Sequence, residues 1–89
     1  MVSKKVEIKN KTGLHARPAS EFVLAAKKYE SKVTIAKEGA EAVNAKSMVR
    51  LLAECIGQGM QVEICADGPD EEEALNTLVS LVESGFGEE

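Results

Sequence analysis

One short segment of this chain combines residue types that suit phosphoryl transfer. His15, the only histidine, lies in the run Gly13-Leu14-His15-Ala16-Arg17-Pro18. A neutral imidazole is a good nucleophile near neutral pH, and an arginine two residues later supplies a fixed positive charge. Proline favours the first turn of a helix, so His15 is predicted to lie at a helix N-terminus. The segment therefore makes His15 a candidate acceptor of a phosphoryl group.

A helix N-terminus would also stabilise the product of that reaction. Its partial positive charge disfavours an imidazolium and favours a dianionic phosphoryl group. We expect the backbone N–H groups of Ala16 and Arg17 to donate to the phosphoryl oxygens, and the Arg17 guanidinium to add a charge-assisted contact. Spacing alone leaves a second interpretation open, in which His15 only flanks a helix and Gly13 and Pro18 only shape its start.

The elements around this segment follow from two hydrophobic periods. Alternating apolar residues predict four strands, at 5–8, 32–37, 41–44 and 61–67. Spacings of three and four predict three helices, one over 18–29, one that Ser47 caps and Gly57 or Gly59 ends, and one that starts at Asp70. Asp70 with Glu73 resembles a capping box. Each strand is half apolar, so the order βαββαβα predicts a two-layer α+β sandwich with one sheet face in water.

Composition excludes several classes of protein. The 89 residues predict one domain over 1–89, and the net charge of −4 with 3% aromatic residues argues against nucleic-acid binding. There is no apolar run of membrane-spanning length, so we expect a cytoplasmic protein without membrane insertion. One histidine and two distant cysteines, Cys55 and Cys65, predict no metal site and no cofactor. Acidic residues concentrate in the last third, and end with Glu88 and Glu89.

The second helix carries an apolar arc that is wider than one sheet face requires. We predict that Leu51 and Cys55 face the core and that Met48, Val49 and Leu52 form an exposed apolar rim beside His15. Basic residues would surround this rim and suit partners with acidic edges, namely Arg17, Lys46 and Arg50. The alternative is that the whole arc is core.

The run from Gly13 to Ala19 resembles the active-site signature of the HPr family, the histidine phosphocarriers of the bacterial sugar phosphotransferase system. The resemblance covers essentially the whole chain. It implies an open-faced sandwich in which three helices cover a four-stranded sheet of order 1-4-2-3. It also implies that Nδ1 of His15 takes a phosphoryl group from phospho-enzyme I, charged by phosphoenolpyruvate, and passes it to IIA domains of sugar permeases. Arg17 would assist the transfer, and the protein would be a monomeric carrier and not an independent enzyme.

Lys46-Ser47 resembles the regulatory serine motif of HPr proteins that are substrates of HPr kinase/phosphorylase. Phosphorylation of Ser47 would then slow transfer and create a corepressor for a catabolite-control repressor. The kinase-regulated relatives tend to continue with Ile-Met-Gly, whereas this chain has Met48-Val49-Arg50, which alters the partner surface. Three alternatives remain: Ser47 as a helix cap only, a regulatory binding module that acts through phospho-Ser47, and a carrier of a nitrogen-type phosphotransferase branch.

Overall fold

The computed structural model describes residues 1–87, so the acidic residues Glu88 and Glu89 lie outside the described part of the chain. Within that part the chain forms four strands, three α-helices and a short 3-10 turn. Their bounds are β1 Val2–Glu7, α1 Ala16–Lys27, β2 Lys32–Lys37, β3 Val43–Asn44, α2 Met48–Ala53, β4 Gln61–Asp67, α3 Glu71–Glu83 and the turn Gly85–Gly87. The predicted order of elements is confirmed.

The four strands form one antiparallel sheet of order β1-β4-β2-β3. In the central strand β4 every second residue is buried, and these are Val62, Ile64 and Ala66. Val6 of β1 and Ile35 of β2 lie on the same side, because directly paired residues share a face of the sheet. The helices pack on this side, so the predicted open-faced α+β sandwich and its strand order are confirmed.

The core between the sheet and the helices is aliphatic, as the low aromatic content predicts. Phe22 of α1 and Leu78 of α3 are fully buried in the same core as the sheet residues, and Phe86 of the final turn is also buried there. The opposite sheet face carries Cys65, half-buried, with Ser3 and Thr34 as its direct neighbours on the adjacent strands. This location of Cys65 on the open face agrees with the strand phase. No helix among residues 1–87 is both long enough and apolar enough to cross a bilayer.

The bounds of β1, β3 and α1 differ from the sequence-based expectation. Strand β1 begins at Val2 because its first residues pair with the far end of β4, where Val2 lies opposite Ala66. Strand β3 is reduced to Val43–Asn44, the two residues that pair with β2. Helix α1 begins and ends two residues earlier than expected. It ends at Lys27 because the amides of Lys28 and Tyr29 bond to the carbonyls of Ala25 and Ala26 and tighten the last turn.

Helix α2 ends at Ala53, so the expected end at Gly57 or Gly59 is wrong. The carbonyl groups beyond the helix serve other elements: Lys37 Nζ donates to Glu54 O at 2.8 Å, and Leu14 N donates to Ile56 O at 2.9 Å. Cys55 takes the left-handed conformation, with φ of 54°. This turn removes Cys55 from the buried stripe of the helix. The prediction that Cys55 faces the core is therefore wrong, and its thiol is exposed, whereas Leu51 is fully buried.

The capping box predicted at Asp70 is also wrong. Asp70 occupies the N-cap position of α3, but its ψ of 32° is not the extended conformation of a capping residue, and its side chain makes no cap hydrogen bond. Its carboxylate accepts hydrogen bonds from the backbone N–H groups of Glu30 and Ser31 and from the Ser31 hydroxyl. Near the start of α3, Glu71 Oε1 accepts from Gly68 N at 3.1 Å. A contact with a loop thirty-nine residues away thus replaces the local cap.

Candidate functional site

His15 lies at the N-cap position of α1, as the sequence predicts. Its backbone is extended, with φ of −133° and ψ of 162°, and its carbonyl accepts from Ala19 N at 3.5 Å. The imidazole is half-buried and makes no capping hydrogen bond to the helix. The local fold thus holds the backbone of His15 while leaving its ring nitrogens available at the surface.

The residue after His15 has a strained backbone that sequence analysis missed. Ala16 has φ of 51°, in the left-handed region that costs an alanine about 1–2 kcal/mol. The right-handed turns therefore begin at Arg17, and Pro18 has no N–H to offer. The amides of Ala16 and Arg17 are the two donors that this helix start can present to an anion beside His15. Alanine has no special preference for this conformation, so no sequence signal could have revealed it.

Arg17 is almost fully exposed, with 85% of its side chain accessible. Its Nε lies 3.6 Å from Glu21 Oε2, one helical turn further along α1. Sequence analysis did not name Glu21, although its spacing of four residues is the signal for such a pair. Because the pair is exposed and weak, the guanidinium can exchange Glu21 for a phosphoryl group at small energetic cost.

The segment before His15 packs against the segment that follows α2. Gly13 has φ of 67°, and a Cβ there would lie 2.5 Å from Ile56 O and 2.6 Å from Gly57 Cα. Two backbone hydrogen bonds, Ile8 N to Met60 O and Gly59 N to Ile8 O, join the same two segments further from His15. Only glycine fits this close approach, so Gly13 does more than shape a turn.

Lys46 and Ser47 lie where α2 begins, near the C-terminal end of α1. Ser47 caps α2, since its Oγ accepts from Arg50 N at 3.3 Å, as predicted. Lys46 Nζ donates to Tyr29 O at 2.7 Å, just beyond the end of α1. A twelve-residue helix is about 18 Å long, so this ammonium lies far from His15. It neutralises the partial negative charge of the C-terminus of α1, a use that sequence analysis missed.

Part of the apolar arc of α2 is exposed. Val49 is 78% accessible and Leu52 is 38% accessible, whereas Met48 is half-buried and packs against the core. The alternative in which the whole arc is core is therefore wrong, and the predicted rim is narrower than expected. Helix α1 packs against α2 and carries a third exposed apolar side chain, Leu24, which is 59% accessible. These three residues, Leu24, Val49 and Leu52, are the apolar surface of the two helices.

Comparisons with known proteins converge on one family. A family model described as the PTS HPr component phosphorylation site matches residues 2–84. The chain is 45% identical over 83 residues to the HPr-like protein Crh of Halalkalibacterium halodurans, which covers 93% of this chain and 98% of the relative. It is 46% identical over 84 residues to the phosphocarrier protein HPr of Borreliella burgdorferi, which covers 94% and 96% of the two chains.

Solved structures agree with the sequence comparisons. The crystal structure of HPr from Thermoanaerobacter tengcongensis matches with a TM-score of 0.96 at 49% identity, over 100% of this chain and 99% of the other. A crystal structure described as the HPr dimer from the same organism matches with a TM-score of 0.78 at 51% identity, over 93% and 94% of the two chains. A whole-chain family match, relatives well above 30% identity and the shared sheet order lead to one conclusion: this chain belongs to the HPr phosphocarrier family of the phosphotransferase system.

Proposed function

We propose that residues 1–89 act as one phosphocarrier domain on which His15 accepts a phosphoryl group from phospho-enzyme I and passes it to IIA domains of sugar permeases. The observation that carries this proposal is the half-buried imidazole of His15, which lies at the start of α1 and is not used as a helix cap. The match to a phosphorylation-site family model over residues 2–84 supports it.

The proposed transfer moves the phosphoryl group from an imidazole nitrogen of the donor protein to an imidazole nitrogen of His15. A ring nitrogen of His15, Nδ1 by family resemblance, forms a bond to phosphorus while the bond between phosphorus and the donor nitrogen breaks. The electron pair of the broken bond stays on the donor ring, so the step needs neither an oxidant nor a net proton. The carrier is a substrate of other enzymes in this scheme, and it requires no metal or cofactor.

Arg17 and the first amides of α1 would stabilise the transferred group. The dianionic phosphoryl group would lie beside the N–H groups of Ala16 and Arg17, where the partial positive charge of the helix is greatest. The exposed Arg17 guanidinium would leave Glu21 and form charge-assisted hydrogen bonds to the phosphoryl oxygens. The group remains easily transferable because these contacts lie at the surface and an incoming protein can replace them.

A labelling experiment tests the proposal. The protein is incubated with enzyme I and phosphoenolpyruvate carrying labelled phosphate, and the labelled product is then treated with acid. Phosphohistidine is acid-labile, whereas phosphoserine survives. We expect acid-labile label on the wild-type chain and on Ser47→Ala, and none on His15→Ala. The carrier function is excluded if the wild-type chain takes no label or if His15→Ala still does.

A second function, regulation at Ser47, has separate support. The HPr-like protein Crh is among the similar proteins, at 45% identity, and the half-buried Ser47 lies at the surface end of α2 with Lys46 beside it. We propose that HPr kinase/phosphorylase modifies Ser47 and that the product binds a catabolite-control repressor. Incubation with that kinase and ATP should give acid-stable label that is lost in Ser47→Ala. Retention of His15 argues against a purely regulatory binding module.

The proposed partners dock on the apolar surface of the two helices, with help from the basic residues Lys46 and Arg50 and the half-buried Met48. Exposed Val49 and Leu52 would contact enzyme I and IIA domains, and the basic residues would meet acidic edges. We propose a cytoplasmic monomer as the working form. Sedimentation velocity at micromolar concentration tests this, and a dimer like that of the Thermoanaerobacter relative would overturn it.

The branch of the phosphotransferase system is tested by the choice of enzyme I. A carrier of the sugar branch should accept the phosphoryl group faster from sugar-type enzyme I than from its nitrogen-type counterpart. The opposite preference would assign the chain to the nitrogen-type branch.

A further inference from the structure

The loop that leads to His15 is closed by a buried side chain, that of Asn10. Only 4% of Asn10 is accessible to solvent. Its Nδ2 donates to Gly13 O at 2.9 Å and to Thr12 Oγ1 at 3.2 Å. Its backbone carbonyl accepts from Gly13 N at 3.2 Å. One residue therefore contacts both the amide and the carbonyl of Gly13.

The peptide unit between Gly13 and Leu14 is fixed at both of its polar ends. Asn10 Nδ2 holds its carbonyl oxygen, and Ile56 O accepts from its N–H, on Leu14, at 2.9 Å. Leu14 itself is fully buried, so its side chain anchors the next position as well. A planar peptide unit with both ends bonded cannot rotate, and its orientation sets the direction in which the chain enters His15.

We infer that Asn10 is a positioning residue for phosphoryl transfer at His15. The inference rests on the proposed function, because Asn10 acts only through the imidazole. Asn10 fixes the 13–14 peptide, which aims the backbone of His15 and Ala16, so the ring nitrogen and the amides of Ala16 and Arg17 converge on one phosphoryl group. Removing the Asn10 amide frees the carbonyl end of the peptide, while Ile56 and the buried Leu14 side chain keep the loop attached to the fold.

The expected consequence is a slower chemical step with unchanged docking. Misplacement of a reacting group by about 1 Å costs about 100-fold in rate, and a loosened loop costs a part of that. We expect Asn10→Ala to lower the maximal rate of transfer from phospho-enzyme I about 10-fold, with no change in KM, because the apolar surface of the two helices is untouched. Asn10→Asp keeps the size of the side chain but loses the donor, so it should behave in the same way.

Ser31→Ala is the matched control. Ser31 is as buried as Asn10, at 1% accessibility, and is also hydrogen-bonded. It lies beyond the C-terminal end of α1, however, and its partner is Asp70, at the start of α3. A loss of stability alone would affect both variants, whereas a loss of positioning would affect only the Asn10 variants. Thermal unfolding is measured for each protein first, and rates are compared at a temperature where all are folded.

A small donor separates positioning from docking. Phosphoramidate transfers its phosphoryl group to an imidazole nitrogen as its own P–N bond breaks and ammonia leaves, so no protein partner is needed. We expect the Asn10 variants to react with phosphoramidate more slowly than the wild type and Ser31→Ala. The role of Asn10 is refuted if either folded Asn10 variant transfers at the wild-type maximal rate, if only KM changes, or if Ser31→Ala slows equally. A wild-type chain that takes no label from phospho-enzyme I would instead refute the proposed carrier function, and the phosphoramidate rates would still test Asn10.

Discussion

The carboxylate of Asp70 binds the backbone N–H of Ser31 at 2.9 Å and also its hydroxyl, and the Ser31 hydroxyl in turn accepts from Asp70 N at 3.2 Å. The two residues thus form a closed ring of hydrogen bonds between the end of α1 and the start of α3. Gly68 is part of the same junction, since a Cβ there would lie 2.7 Å from Ser31 Cα. This junction joins the two helices at the end of the fold that is remote from His15.

Stability should depend on the ionisation of Asp70. Hydrogen bonds from the Ser31 side chain and the Glu30 backbone N–H lower the pKa of Asp70 below its ordinary value. A lowered folded-state pKa means that the stabilisation is present above about pH 4 and is lost as pH falls further. We expect Asp70→Asn to lower the melting temperature at pH 7 and to flatten its decline between pH 5 and 2. A decline as steep as that of the wild type would contradict this assignment.

Ser31→Ala should cost about 1–2 kcal/mol in the free energy of unfolding, because the buried Ser31 hydroxyl is a hydrogen-bond partner of both the Asp70 carboxylate and the Asp70 N–H. Urea denaturation measures this change. Ser80→Ala, at an exposed position of α3, is the control and should lie within about 0.5 kcal/mol of the wild type. Equal stability of the two variants would show that the Ser31 hydroxyl contributes nothing.

Arg17→Ala should slow transfer from phospho-enzyme I about 10- to 100-fold, because one charge-assisted contact to the phosphoryl group is lost. The free energy of unfolding should change by less than about 0.5 kcal/mol, since the side chain is exposed. Glu21→Gln breaks the same ion pair without removing the guanidinium, so its transfer rate should stay near the wild-type value. Unfolding of Arg17→Ala would instead assign Arg17 a structural role.

Gly13→Ala should destabilise the fold by more than about 2 kcal/mol, because its Cβ would overlap Ile56 O and Gly57 Cα. Gly39→Ala is the matched control. Gly39 also has a positive φ, of 83°, but a Cβ there meets nothing within 4 Å, so the cost should be only about 1 kcal/mol of backbone strain. Similar urea midpoints for the two variants would show that the contact with residues 56–57 is not tight.

Ala16→Gly and Cys55→Gly should each stabilise the protein by about 0.5 kcal/mol. Both residues have φ above 50°, where an L-residue is strained by about 1–2 kcal/mol and glycine is not. Glycine loses about 0.5–1 kcal/mol more conformational entropy on folding than alanine, which offsets part of this gain. Ala25→Gly, in the right-handed part of α1, should destabilise by about 1 kcal/mol. Denaturant unfolding checks all three, and a loss of stability in Ala16→Gly would contradict the left-handed conformation at that residue.

Val49→Asp should raise the KM of the carrier for enzyme I about 5-fold or more without loss of stability, since Val49 is exposed and apolar. Asn76→Asp adds the same charge on an exposed face of α3 and serves as the control. Steady-state phosphorylation by enzyme I at varied carrier concentration gives KM and the maximal rate for each variant. An unchanged KM for Val49→Asp would remove α2 from the docking surface.

The sequence by itself determined the features that depend on neighbours along the chain. Strands β2 and β4 have the bounds that alternation predicts, because each pairs along its whole length and buries every second residue. Local backbone preferences predict that a helix begins just after His15 and that Ser47 caps α2, although α1 begins at Ala16, two residues earlier than expected. The HPr signature itself is seven consecutive residues, so it needs no tertiary information.

Only the tertiary structure decided the contacts between residues far apart in the sequence. Asp70 bonds to Ser31 instead of capping its own helix, because Glu30 and Ser31 offer its carboxylate three donors, whereas its backbone conformation, with ψ of 32°, is not that of a capping residue. Helix α2 ends at Ala53, and Cys55 is exposed, because the carbonyls of Glu54 and Ile56 bind Lys37 and Leu14. Hydrophobic periodicity describes one helix or strand at a time, whereas these hydrogen bonds depend on how separate elements pack together. The same packing fixes the peptide unit between Gly13 and Leu14, just before His15.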